Sequence, residues 1–249
     1  MKKKMILALF LITNIVAMAF NFSVAPTRFE LNLDKINTNE IVLINNTSDP
    51  MRLESFLEAP EGYEKYNLND NIKLYPKMVA IKPGGKQLVR FRVKPSKNMV
   101  DGEYKSYIVF KEVPLKLKDK KTKGKLDVQI KMITEVGISV YGSYGNIILD
   151  ATANNMKISY NRKTSGLKVN LDTFSKGNSS VKLSQKIEVL NSSGKVIDKF
   201  ESQLGRTARN GMKKMDNTIK IPNLSGKKVR ITVENQDGKK IIQKTSNTL

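Results

Sequence analysis

The chain has 249 residues, with 44 Lys and Arg against 23 Asp and Glu, a formal charge of +21, and neither Cys nor His. Without cysteine there is no disulfide and no thiol nucleophile, and without histidine the commonest general base and zinc ligand are missing. The lysines are spread along the chain with no RNA- or DNA-binding signature, so the charge is read as a solvated basic surface that attracts acidic partners, with no nucleic acid among them.

The N-terminus fixes the expected compartment. Lys2, Lys3 and Lys4 precede an apolar run over residues 5–20, and Ala17-Met18-Ala19 places small residues at a signal-peptidase spacing. Residues 1–19 are therefore expected to be a secretory signal peptide cleaved after Ala19. The alternative, a membrane anchor, would need about 20 apolar residues. Cleavage removes three lysines and no acid, leaving a charge of +18. No later segment is apolar enough to span a bilayer, so no stable membrane insertion of the mature chain is expected. The remaining length suits one large or two ordinary domains.

Short alternating runs separated by turn residues fill the rest. Ala25, Thr27, Phe29, Leu31 and Leu33 alternate with Val24, Pro26, Arg28, Glu30 and Asn32, which predicts an opening strand with Phe29 and Leu31 inward and Arg28 outward. Residues 40–44 (EIVLI) form a second apolar run, closed by the turn at 45–50. Residues 51–57 resume the strand pattern, and 63–71 are polar and loop-like. Two short strands flank Pro76, and Lys82-Pro83-Gly84-Gly85 is a turn. Val89, Phe91 and Val93 then alternate with Leu88, Arg90 and Arg92. A strand at 104–113 follows Asp101-Gly102, and residues 114–124 are a lysine-rich, solvated loop.

Residues 126–141, LDVQIKMITEVGISVY, keep one period-two register in which Leu126, Val128, Ile130, Met132, Val136, Ile138 and Val140 share a face, interrupted by Thr134. A strand of that length would span about 50 Å, whereas ordinary strands have about 5–6 residues. Either it bends into the next domain or part of it awaits a partner. The second is favoured, with the first half as the part offered.

Residues 142–145 read as a linker, after which strands are expected at 146–151, 156–160, 167–174, 181–190, 196–200, 219–221, 228–234 and 240–243. Gln236-Asp237-Gly238 is a good hairpin turn. Residues 206–214 are the stretch most prone to disorder. The fold class is all-β, with two sandwich domains at 20–142 and 146–249.

No catalytic constellation is present. Nucleophiles are limited to Ser, Thr or Lys, and there is no nucleophile elbow and no phosphate-cradling glycine loop. Glu58, Glu61 and Glu64 lie in a polar segment and read as surface charge. No enzyme activity, cofactor or metal is expected.

Four stretches in order carry a family resemblance: PTRFEL at 26–31, IKPGGKQLVRFRV at 81–93, YIVFKEVP at 107–114, and VQIKMITEVGISVY at 128–141. The chain resembles the PapD-like periplasmic chaperones of the chaperone–usher pathway, most closely in its first domain. The resemblance implies two immunoglobulin-like β-sandwich domains in a boomerang arrangement, located in the periplasm. It also implies donor-strand complementation, in which the chaperone lends a strand to pilus (fimbrial) subunits whose own sandwich is incomplete and delivers them to an outer-membrane usher. By residue correspondence, the lent side chains are Val128, Ile130 and Met132, joined by Leu126. Filling the chaperone's own core is the alternative, and is expected for Val136, Ile138 and Val140. The subunit's C-terminal carboxylate is held in the family by an Arg and a Lys in the interdomain cleft. Arg28 matches the Arg, with a surface ion pair as its alternative role. Gly137 stands at the Lys position, with Glu135 nearby, so the second anchor residue is unassigned. Lys131 or a lysine of the second domain are the substitutes the sequence offers. The rival readings are a secreted structural or adhesive β-sandwich that self-associates or binds a surface partner, and a secreted hydrolase, which the missing histidine disfavours.

Overall fold

The computed structural model describes residues 20–114 and 132–248; residues 1–19, expected to be a signal peptide, and residues 115–131, with Leu126, Val128 and Ile130, lie outside them. Sixteen strands and no helix occur among the described residues. The first nine are β1 (Phe22–Ala25), β2 (Arg28–Asn32), β3 (Asn37–Asn45), β4 (Met51–Glu58), β5 (Ile72–Tyr75), β6 (Met78–Ile81), β7 (Lys86–Val93), β8 (Gly102–Glu112) and β9 (Glu135–Tyr144). They form two sheets, ordered β1-β3-β7-β5 and β2-β9-β8-β4-β6. The alternation in β7 sets its faces: Val89, Phe91 and Val93 are buried, while Leu88, Arg90 and Arg92 are exposed. With Ile41, Leu43, Leu53, Ile108, Phe110, Ile138 and Val140 they make the core between the sheets. Burying such side chains contributes roughly 1.5–3 kcal/mol each, which a chain without disulfides depends on.

The opening run divides where a single strand was expected. β1 pairs with β3 in one sheet, and β2 pairs in parallel with β9 in the other. The break falls at Pro26, which has no N–H to continue a ladder. Phe29 and Leu31 do pack inward, and the Phe29 ring meets Phe91 edge-to-face at 4.8 Å.

The long alternating stretch also differs from its expected form. β9 starts only at Glu135. Residues 132–134 are irregular, and Met132 is 69% exposed. β8 ends at Glu112, its last amide pairing with the Thr134 carbonyl at 3.0 Å, and Pro114 follows soon after; no described neighbour remains to cover the segment. Downstream, Ile138 and Val140 are fully buried and Val136 packs against the same core.

The second sandwich comprises β10 (Ala151–Asn161), β11 (Gly166–Ser175), β12 (Lys182–Leu190), β13 (Val196–Arg206), β14 (Gly211–Lys220), β15 (Lys228–Asn235) and β16 (Lys240–Asn247). Its sheets are β10-β11-β14 and β13-β12-β15-β16, around Leu167, Val169, Leu171, Leu183, Ile187, Val229, Ile231 and Val233. In place of the expected disorder at 206–214, β13 ends at Arg206, four residues connect, and β14 begins at Gly211. Its ten residues pair with β11 without a break, and Met215 enters the core. Tertiary pairing overrides a weak local pattern.

Candidate binding cleft between the sandwiches

The junction is built around Glu103, a carboxylate on β8 that is only 4% exposed. Its Oε2 accepts from Arg206 Nη1 at 2.9 Å and from the Ser179 hydroxyl, and its Oε1 accepts from the Tyr63 hydroxyl and the Ser180 amide. Arg209, 2% exposed, donates to the backbone carbonyls of Glu103 and Asp101 and lies 3.3 Å from the Tyr66 ring centroid. Gly102, at φ 134°, leaves room for this, because a Cβ there would strike the Arg209 guanidinium and the Asn178 carbonyl. Burial, then the Glu103 charge, push the Tyr63 phenol far above its ordinary 10.0.

That shift predicts an alkaline limit. Below pH 10 the folded and unfolded tyrosine are both protonated and the full stability is present. Above it the unfolded phenol ionises first, so stability falls by about 1.4 kcal/mol per pH unit for this one group. Urea titrations between pH 8 and 11 should give that extra slope in the native chain and not in Tyr63→Phe. Equal slopes would overturn the assignment.

Beside this junction, three strands present one outward face. In β9, Gly137, Ser139 and Tyr141 alternate with buried Ile138 and Val140. Ser139 lies opposite Arg28 of β2 on one side and Tyr107 of β8 on the other, while Tyr141 lies opposite Glu30 and Lys105. The Arg28 guanidinium is 4.4 Å, and the Lys105 ammonium 4.8 Å, from the Tyr141 ring centroid, and Arg206 lies 4.9 Å from it. Arg28 makes a surface ion pair with Glu30 at 2.6 Å. Glu30 also receives Arg206 at 3.1 Å and Lys182 at 3.7 Å. Partial burial raises the Glu30 carboxyl, but Arg28, Lys182 and Arg206 outweigh it and hold it below its ordinary value.

Of the residues singled out in the sequence, Arg28 and Gly137 thus fall on neighbouring strands of one face. Glu135 stands two residues before Gly137 on the same face of β9, where it pairs with Lys111 at 3.1 Å. Met132 stands exposed just ahead of β9; Leu126, Val128, Ile130 and Lys131 lie outside the described residues. Sequence reasoning missed Lys105, Tyr107, Tyr141 and Arg206. The alternation of β8 marked the first two as outward, but not which strand they would flank.

A solvent-accessible face with several cations, two tyrosines and a partly committed carboxylate suits an anionic group held by charge-assisted hydrogen bonds. Among the described residues no group of three or more His, Cys, Asp or Glu could hold a metal ion, and no helix is long and apolar enough to cross a membrane. The fold is thus two immunoglobulin-like sandwiches with a cationic face at their junction.

Residues 21–138 match the family described as pili and flagellar-assembly chaperone, PapD N-terminal domain. The match covers the first sandwich and makes it a PapD-like chaperone domain, of a family whose members are non-enzymatic. Among curated protein sequences there is no match. Solved structures of similar architecture include the YadV chaperone, 14% identical, with 91% of this chain and 99% of that chain covered at a TM-score of 0.48. The E. coli chaperone DraB is 15% identical, with 92% and 97% covered at 0.45. A chain of the Salmonella enterica SafA pilin–SafB chaperone complex is 13% identical, with 92% and 97% covered at 0.44.

Proposed function

We propose that this chain is a periplasmic chaperone that receives incomplete immunoglobulin-like pilus subunits by donor-strand complementation and delivers them to an outer-membrane usher. The lent side chains are Leu126, Val128, Ile130 and Met132, and Arg28 holds the subunit's C-terminal carboxylate. The observation that carries this reading is the unequal pairing of β9. From Glu135 onward it pairs with β8, but on its other side β2 begins only opposite Ser139. Among the described residues, Glu135–Gly137 therefore have one open edge, and exposed Met132 and Ile133 precede them. An added strand on that edge would gain main-chain hydrogen bonds. If it ran parallel to β9, as β2 does, its C-terminus would arrive at the start of β2, where Arg28 stands. Secretion through residues 1–19 and the separation into domains at 20–142 and 146–249 belong to the same proposal.

Co-expression with candidate subunits tests it. Arg28→Ala should weaken the complex about 10–100-fold, the worth of a charged hydrogen-bonding group, while the surface pair it breaks changes stability by no more than about 1 kcal/mol. Ile130→Asp should abolish the complex by placing a charge in an apolar pocket. Binding indifferent to both changes would sink the proposal. Self-association of the chain alone, insensitive to either, would favour the structural or adhesive reading.

A further inference from the structure

We propose that Lys105 is the second cation of the carboxylate anchor, so that the site is completed from β8 and not from β9. This rests on the anchor reading above and names a residue for it.

The face has a low floor. Gly137 and Ser139 carry almost no side chain, and around them rise Arg28 from β2, Tyr107 and Lys105 from β8, and Tyr141 at the far end. The Lys105 ammonium donates to the Tyr107 hydroxyl at 3.2 Å, which leans it back along β8 toward the Ser139 row. Arg28 and Lys105 thus flank the floor from opposite sides. Two strand spacings separate β2 from β8, about 9–10 Å. A carboxylate with charge-assisted hydrogen bonds on both sides spans about 8 Å. An α-carboxylate at the end of an extended peptide therefore fits between the two cations, above Gly137 and Ser139.

Charge points the same way. Lys105 makes no ion pair among the described residues. The adjoining cleft, about 420 Å³, is lined by Lys105, Arg206, Lys213 and Lys214, against the single acid Glu61. Burial and then the charge of Lys105 hold the Lys213 ammonium below its ordinary value. Lys105 and Lys213 therefore face each other with an unmet positive charge that an entering carboxylate would relieve. Gly137 explains why the lysine is not needed on β9 and offers a control: a Cβ there would meet nothing nearer than 3.9 Å, so a lysine can be introduced.

The test uses the full mature chain and a fluorescein-labelled octapeptide of alternating Val and Ser, made with a free C-terminal carboxylate and as its C-terminal amide. Fluorescence polarisation should show the acid binding native chain at least 10-fold more tightly than the amide. Lys105→Ala should bring the ratio to about 1–2, as should Arg28→Ala, and Lys105→Met should do the same while keeping the aliphatic stem packed. The double variant Lys105→Ala/Gly137→Lys should restore the ratio to several-fold. If the ratio falls in Arg28→Ala but survives in both Lys105 variants, Lys105 is not the second cation and the anchor reading stands. If native chain does not discriminate acid from amide, or binds neither at millimolar peptide, the anchor reading falls and Lys105 with it.

Discussion

Replacing Glu103 with alanine should destabilise the chain by about 3–5 kcal/mol, the cost of leaving a buried ion pair with one partner. The Arg206 guanidinium it neutralises has a side chain only 17% exposed, its Nε already lacks a hydrogen-bond partner, and as ion-pair partner it would keep only the half-exposed Glu30 at 3.1 Å. Tyr63, Ser179 and Ser180 lose an acceptor in the same step. The residues that converge on Glu103 come from both sandwiches, so the loss should also uncouple them. Calorimetry should resolve one unfolding transition into two, and urea unfolding followed by tyrosine fluorescence (the chain has no Trp) should shift to lower midpoint. The double change Glu103→Leu/Arg206→Met should cost less than Glu103→Ala alone, because no stranded charge remains. A loss below about 1 kcal/mol in Glu103→Ala would mean that the network does not hold the domains together.

Phe91→Ala is expected to cost about 3–5 kcal/mol from the cavity, and about 0.5–1.5 kcal/mol more from the lost edge-to-face contact with Phe29. Phe91 is 1% exposed, at the centre of the first core. Its effect on the cleft is indirect but specific. β2 is short, only five residues, and Phe29 is one of the two side chains that seat it. Without Phe91 that seat is loosened and Arg28, one residue away, loses its fixed position. Amide hydrogen exchange should therefore accelerate more at Phe29–Leu31 than along β4. Uniform acceleration through both strands would show that β2 is held by its ladder to β9 alone.

Much of the first sandwich was legible because its strands bury one face only. The alternation in β7 and in the Val136–Val140 part of β9 gave the correct inward residues, and the turns at Gly84 and Gly102 fell where the composition placed them. Pro26 splits the opening run, where side-chain periodicity continues after the backbone partner has gone. Periodicity reports a face, whereas a strand also needs a neighbour. The misjudged 206–214 stretch is the converse. Thr207 and Arg209 look solvated in sequence, yet they are buried against Val181, Glu103 and Tyr66. The cleft was half legible for the same reason: Arg28 announced itself as an outward arginine, but Lys105 and Tyr141 become neighbours of it only through the pairing of β2, β9 and β8.

The contact between Arg28 and Glu30 gives the cleft an internal ligand of its own. A carboxylate already rests on the guanidinium, so an arriving chain terminus does not meet a bare cation. It exchanges places with a tethered competitor that stays within reach throughout the encounter. Such a swap returns less free energy than binding to an unoccupied arginine, and it lowers the barrier to departure equally, since Glu30 can re-enter as the visitor leaves. Under the proposed function, a resident rival would make the grip on a subunit reversible without a change of fold.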